Sequence, residues 1–196
     1  TLAELRLPAE RLDAGGAFGC TDTLEYLALT PTKLIPTLVD GDFSLWESSA
    51  IIRYLARKYG AGSILPATEQ EIARADQWME WAGTTIYADI ITNIFSGLIR
   101  TPAATRNHAL VEASIQRAGE KLALLDAHLA SRPYILGDAF TMADIPAGAL
   151  MWRYFDLPIA RPSLPNVQAW SKRLQERAAY REHVMIDYSI LKVAGA

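Results

Sequence analysis

Residues 30–59 read TPTKLIPTLVDGDFSLWESSAIIRYLARKY, and the order of patterns inside this stretch decides the fold. From Leu34 to Trp46 there are two β-rich runs separated by Asp40-Gly41, a dipeptide that supplies positive φ for a two-residue hairpin turn. Pro36 begins the first run, a position that tolerates a residue unable to donate to a ladder. Glu47-Ser48 then opens a segment in which Ile51, Leu55 and Tyr59 recur every fourth residue, with Arg57 and Lys58 in the last turn before Gly60. Those are the marks of a helix with cations at its carboxyl end and a glycine stop. The stretch therefore predicts a β-hairpin followed by a helix.

Upstream, TLAELRL carries Leu2 and Leu5 at helical spacing and runs into Pro8 with nothing before it to act as a cap, so the chain is expected to open inside a helix. A short strand-like stretch through Leu12 follows, then the Gly15-Gly16 and Gly19 loop, then a short helix in TDTLEYLAL. Downstream, Gly60, Gly62, Ser63 and Pro66 make the one turn-rich stretch that coincides with a change of pattern. The expected organisation is an α/β domain over residues 1–61, a linker over 62–70, and an all-α domain over 71–196.

In that second domain, apolar stripes recur at helical spacing through Trp78, Trp81 and Thr85, and again through Ile115, Ala118, Leu122, Leu125 and Leu129. Thr141-Met-Ala-Asp144 has the spacing of a capping box, flanked by Phe140 and Ile145 as a hydrophobic staple. Val167, Trp170 and Leu174 mark a last helix, for which Asn166 is the expected cap.

The totals exclude several classes of function. With 19 basic and 22 acidic residues interleaved, for a net charge of −3, the chain has no basic face for a nucleic-acid backbone. A single cysteine, Cys20, builds neither a disulfide framework nor a thiolate metal site, which suits a reducing cytoplasm. No secretory signal pattern or bilayer-length apolar run is present. His108, His128 and His183 are scattered, without the spacing of a metal or catalytic motif, and are read as ordinary surface or boundary residues. No metal is expected.

The string Ile35-Pro36, then Asp40-Gly41, then Glu47-Ser48 and Ala50-Ile51-x-x-Tyr54-Leu55 resembles the glutathione-binding signature of the glutathione transferases. Gly137-Asp138-x-Phe140-Thr141-Met-Ala-Asp144-Ile145 resembles the same family's capping box and staple in its helical half. DAGGAFGCTDT, WMEWAGTT and Arg100-Thr101-Pro102 resemble a bacterial cytosolic subgroup. The resemblance implies a thioredoxin-like amino-terminal domain, incomplete at its start, followed by a helical bundle.

It further implies a cis bond at Ile35-Pro36 that turns the backbone of Ile35 outward, where the cysteinyl unit of glutathione could pair as an added strand. Ser48 would hold the γ-glutamyl carboxylate at a helix amino end, and Glu47 would accept from the ammonium. Lys33 and Leu34 complete the expected glutathione-binding set. Lys33 also departs from the family, which usually has Gly there; the replacement means either a loop without positive φ or a strained one.

The residue that activates the glutathione thiol lies, in the family, between the first strand and first helix, and no residue here is assigned to that role. What precedes Thr1 in the family pattern is a strand of ~5 residues and most of a helix of ~11. Trp81 and Thr85 are the expected lining of an apolar second-substrate pocket. The implied protein is a cytoplasmic homodimeric enzyme that adds the thiolate of glutathione, its co-substrate, to an electrophile. The alternative is a non-catalytic glutathione-binding or protein-interaction module on the same fold.

Overall fold

The computed structural model describes residues 1–195, which fall into two compact units, the first ending at Leu65 and the second starting at Pro66. Within the first unit, residues 1–7 form a turn in which the Leu5 N–H donates to the Thr1 carbonyl at 3.0 Å. The strand expected through Leu12 does not form: residues 8–14 join no ladder. An apolar and polar alternation makes a strand only when a neighbour supplies the other half of each hydrogen bond.

Helix α1 (Leu24–Leu29) starts at Thr23, whose side chain accepts from the Tyr26 N–H. Strands β1 (Thr37–Asp40) and β2 (Phe43–Trp46) then pair antiparallel, with Thr37 opposite Trp46 and Asp40 opposite Phe43. The two turn residues are accordingly Gly41 and Asp42, one step later than the sequence suggested. Positive φ falls on Gly41 (63°) and not on Asp42, as in a type II′ turn. Asp40 is freed for another task. Its Oδ2 accepts from Tyr54 Oη (2.8 Å), Lys58 Nζ (2.6 Å) and Tyr59 Oη (3.2 Å), which ties the hairpin to helix α2 (Ser48–Tyr59).

Helix α2 buries Ile52, Leu55 and Ala56, while Tyr59 lies exposed because it is drawn outward to Asp40. Gly60 does end the helix, but at φ −97°; a Cβ there would sit 2.6 Å from the Ala56 carbonyl oxygen. Its role is close approach, not left-handed backbone. The hairpin, its preceding loop and α2 make a small thioredoxin-like unit with a two-stranded sheet.

The second unit is all helical. A continuous rod over residues 69–99 comprises α3 (Glu69–Trp81), two π-helical stretches (Ala82–Ile86 and Ala88–Phe95) and α4 (Ser96–Ile99). Thr68 and Glu71 cap it with a complete capping box. The rod packs on α5 (His108–His128) and α6 (Asp144–Asp156), and α7 (Pro165–Gln175) and α8 (Ala178–His183) complete the bundle. Met79, Ile86, Ile90, Ile94, Leu122, Leu125, Met151 and Trp170 form its core. No helix among the described residues is long and apolar enough to cross a membrane.

Two helix starts differ from the sequence expectation. Helix α7 begins at Pro165 and is not capped by Asn166; Asp126 of α5 accepts from the Asn166 and Val167 N–H groups at 2.8 and 2.9 Å. Pro at the first position removes one donor, and a carboxylate from a neighbouring helix satisfies the next two. At α6, Asp144 Oδ2 accepts from the Thr141 N–H (2.9 Å), the reciprocating arm of the expected box. The Thr141 hydroxyl turns toward that same carboxylate at 3.4 Å. Asp144 Oδ1 accepts from the Ile135 N–H and from Trp170 Nε1, both at 2.9 Å, so one buried carboxylate fixes α6, α7 and the loop between α5 and α6.

Candidate functional site

The candidate site is built at one end of the hairpin. Because Thr37 pairs with Trp46, the residues entering β1 (Ile35, Pro36) and those leaving β2 (Glu47, Ser48) emerge at the same end. The Ile35-Pro36 peptide bond is cis. Ile35 is 59% exposed, and among the described residues its own N–H and C=O make no hydrogen bond. An extended backbone with both groups open is what an added peptide strand requires.

The loop before it is held from inside. Thr30, fully buried, accepts at Oγ1 from the Thr32 N–H (3.4 Å), and Thr32 Oγ1 accepts from the Leu34 N–H (3.3 Å). Tyr26 of α1 donates its hydroxyl to the Leu34 carbonyl (2.7 Å) and meets Thr37 Oγ1 at 3.2 Å, spanning the cis bond from both sides. Sequence reading missed Tyr26 and Thr30 because nothing in the local pattern says which hydroxyl turns toward the loop. Gly15, at φ 77°, brings the glycine loop close enough that a Cβ there would lie 3.8 Å from the Ile35 side chain.

Two non-glycine residues flank the site in left-handed backbone, Lys33 at φ 59° and Glu47 at φ 71°. Of the two alternatives for Lys33, the strained loop is therefore the one realised. Glu47 occupies the cap position of α2 without using its side chain as a cap, and Ser48 is the first residue of that twelve-residue helix. Both are exposed. A helix amino terminus leaves backbone N–H groups without intrahelical partners, and its dipole favours a negative group. The Asp40 carboxyl, one strand away, is held below the usual carboxylate range, first by Lys58 and then by Tyr54. The clamp therefore stays charged at neutral pH.

In the second unit, Trp81 and Thr85 are both half-buried on the rod. Trp81 meets Trp78 edge-on at 5.3 Å, and Trp78 lies 4.5 Å from the ring of His128. The imidazole meets the Ile135 carbonyl through Nε2 at 2.7 Å, so His128 carries a proton there and serves as a packing residue. The Thr85 carbonyl accepts from Lys121 Nζ at 2.7 Å; Lys121 and Arg117 also converge on the buried Asp89 at 2.6 and 2.8 Å. Burial alone would raise the Asp89 carboxyl, but the two cations outweigh it and hold the group below its ordinary value.

A separate hollow of about 570 Å³ lies against β2 and α2, lined by Phe43, Leu45, Ala50, Tyr54 and Lys58 among others. It shares no residue with the glutathione-binding set predicted from sequence.

Comparison with known proteins matches this arrangement from end to end. Residues 2–63 match the model of the glutathione S-transferase N-terminal domain, and residues 87–178 that of the glutathione S-transferase C-terminal domain. Glutathione S-transferase GstB of Escherichia coli K12 is 39% identical over 96% of this chain and 91% of its own length. Glutathione S-transferase F10 of Arabidopsis thaliana is 32% identical over 85% of this chain and 80% of its own. The crystal structure of a theta class glutathione S-transferase from Xanthomonas axonopodis pv. citri, with glutathione bound, superposes with a TM-score of 0.90 at 43% identity. That match covers 95% of this chain and 89% of the other. With both domain types in order, on a hairpin and a helical bundle of the matching fold, the chain belongs to the glutathione S-transferase family.

Proposed function

We propose that this transferase holds glutathione at the hairpin end through the Ile35 backbone beside cis Pro36, with Leu34 and Lys33 on the same loop and Glu47 and Ser48 opposite. The observation that carries the reading is the Thr37 to Trp46 pairing, which brings an open, outward-turned backbone and a helix amino terminus to one end of one hairpin. The open backbone suits the cysteinyl unit; the helix terminus with Ser48 suits the γ-glutamyl carboxylate, and Glu47 suits its ammonium.

The bound thiolate attacks an electrophilic carbon, forming a C–S bond while the leaving group departs with its electron pair; the thiol proton passes to solvent. The second substrate is a small, mostly apolar molecule received by the helical unit, for which Trp81 and Thr85 are the candidate contacts. The working form is a cytoplasmic homodimer.

The test is retention on immobilised glutathione, eluted by free glutathione, followed by conjugation of 1-chloro-2,4-dinitrobenzene measured by absorbance. Retention is expected, and Ser48→Ala is expected to weaken it by about tenfold, the loss of a hydrogen bond to a charged group. A protein that ignores the resin sinks the binding reading; one that binds but turns over no halide sinks the catalytic one.

A further inference from the structure

The second unit contains a cationic cluster that the glutathione site does not use. At the far end of the rod the buried Phe95 presents its ring to two guanidinium groups, Arg153 of α6 with Cζ 4.9 Å from the ring centre and Arg100 with Cζ 5.6 Å away. Tyr188, from the segment after α8, meets Phe95 edge-on at 5.0 Å and offers its own face to Arg153 at 5.9 Å. Three separate parts of the chain converge here.

The convergence is pinned. The Ala103 N–H donates to the Gly195 carbonyl (2.7 Å) and the Val193 N–H to the Ile99 carbonyl (3.0 Å), so the last described residues lie along the end of the rod. Tyr188 donates its hydroxyl to Asp156, one turn beyond Arg153 on α6.

The charges in the cluster are unbalanced. Asp156 is engaged by the Tyr188 phenol, and among the described residues neither the Arg100 nor the Arg153 guanidinium forms an ion pair or hydrogen bond. The contacts these two groups do make are with ring faces. A half-buried guanidinium is ordinarily paired with a carboxylate, because desolvating a cation without a counter-charge is costly. Here a second guanidinium adds repulsion to that cost. Consistently, burial and then the Arg100 charge push the Arg153 guanidinium down from its ordinary value. Stacking on aromatic faces orients the planar forks and leaves their edge N–H donors open to a planar oxyanion.

We propose that Arg100 and Arg153 form an oxyanion site that takes the carboxylate of a small molecule. It is distinct from the Trp81 and Thr85 contacts, because Arg100 lies fifteen residues, roughly 20 Å, beyond Thr85 along the rod.

One matched pair tests it. Non-reactive 3,5-dinitrobenzoate and 3,5-dinitrobenzamide differ in charge and little in shape, and their binding is measured by titration calorimetry without any turnover. The acid should bind about tenfold more tightly than the amide, the scale of one charge-assisted contact. Arg153→Met keeps the apolar stack and Arg100→Gln changes an exposed residue; each should bring the ratio close to one, with thermal melting monitored to confirm folding.

Equal binding of acid and amide, or a preference that survives both substitutions, overturns the oxyanion site.

Discussion

The hydroxyl of Tyr26 donates to the carbonyl of Leu34 at 2.7 Å, so a residue of α1 fixes the peptide unit immediately ahead of the open Ile35 backbone. Tyr26 is half-buried and lies eleven residues before Thr37, which its oxygen also meets. Tyr26→Phe removes the bond without removing the ring. We expect a stability loss of about 1 kcal/mol or less, since one neutral hydrogen bond contributes about that much. We expect a larger relative effect on glutathione, several-fold in Kd, because the freed Leu34 peptide misaligns the backbone that pairs with it. Calorimetric titration with glutathione alongside a urea melt separates the two; unchanged affinity would show that the bond does not position the site.

Lys33 gives two readouts of opposite sign. At φ 59° it occupies backbone that costs an L-residue about 1–2 kcal/mol and costs glycine almost nothing sterically. Lys33→Gly should therefore hold or raise the urea midpoint even though it loosens the unfolded chain. If the ammonium reaches a glutathione carboxylate, the same variant weakens glutathione binding, and Lys33→Ala does so as well without the gain in stability, because alanine keeps the Cβ that causes the strain. Equal glutathione affinity in all three proteins would remove Lys33 from the site and leave only its strain.

The hairpin, α2 and the helical half were legible because their signals are local: a turn dipeptide, a fourfold apolar recurrence, a capping pattern. What sequence missed depends on partners distant along the chain. Asp40-Gly41 correctly marked a turn, but Asp40 is a clamp for Tyr54, Lys58 and Tyr59 because α2 returns across the hairpin. Residues 9–12 had strand composition and no ladder to join. Asn166 had the right chemistry for a cap, yet the cap came from Asp126, forty residues earlier. The same limit hid Tyr26, Thr30 and the cluster of Arg100, Arg153 and Tyr188, whose members no spacing rule connects.

The Asp40 clamp sets a pH window. Lys58 and Tyr54 depress the folded-state carboxyl, so its stabilising contribution is fully present above about pH 4, the unfolded value, and is lost as pH falls through the lower folded value. Lys58 is shifted the other way, upward, chiefly by Asp40. Its contribution is present below the unfolded value near 10.4 and disappears only as pH rises through the higher folded one. Stability from this pair is thus flat between about pH 4 and 10 and falls outside that range. Asp40→Asn should flatten the acid limb of the urea midpoint against pH; an unchanged limb would assign it to other carboxylates.

Asp89 is the harder electrostatic case, a carboxylate only 5% exposed that holds two cations from α5 against the π-helical part of the rod. Asp89→Asn leaves Arg117 and Lys121 facing one another without a counter-charge. Both cations reach solvent, so the expected loss is about 3 kcal/mol or less, the low end for breaking a buried pair. Because Lys121 also donates to the Thr85 carbonyl, its release should loosen the rod near a candidate second-substrate contact. Faster amide exchange confined to residues 85–91, measured by mass spectrometry, checks that local consequence; uniform exchange across the unit would reduce the network to a stability element.

The cap of α7 tests whether a carboxylate from another helix replaces a local cap in full. Asp126 Oδ1 accepts from the Asn166 and Val167 N–H groups, and its Oδ2 accepts from Asn166 Nδ2 at 3.0 Å. Asp126→Ala removes both acceptor oxygens and the three hydrogen bonds they receive, leaving Asn166 Nδ2 only the Asp126 backbone carbonyl, and a lost cap of this kind costs about 1–2 kcal/mol. Asp126→Asn keeps a carbonyl oxygen for the two backbone donors and should recover most of that loss, because hydrogen bonding, rather than charge, makes the cap. Asn166→Ala alone keeps the backbone N–H groups and should cost less than Asp126→Ala. Combining Asp126→Ala with Asn166→Ala should then cost less than the sum, since the side-chain contact is counted in both single variants. Strict additivity in urea unfolding would show that Asn166 contributes independently, and would return to it the capping role that its position in the sequence suggests.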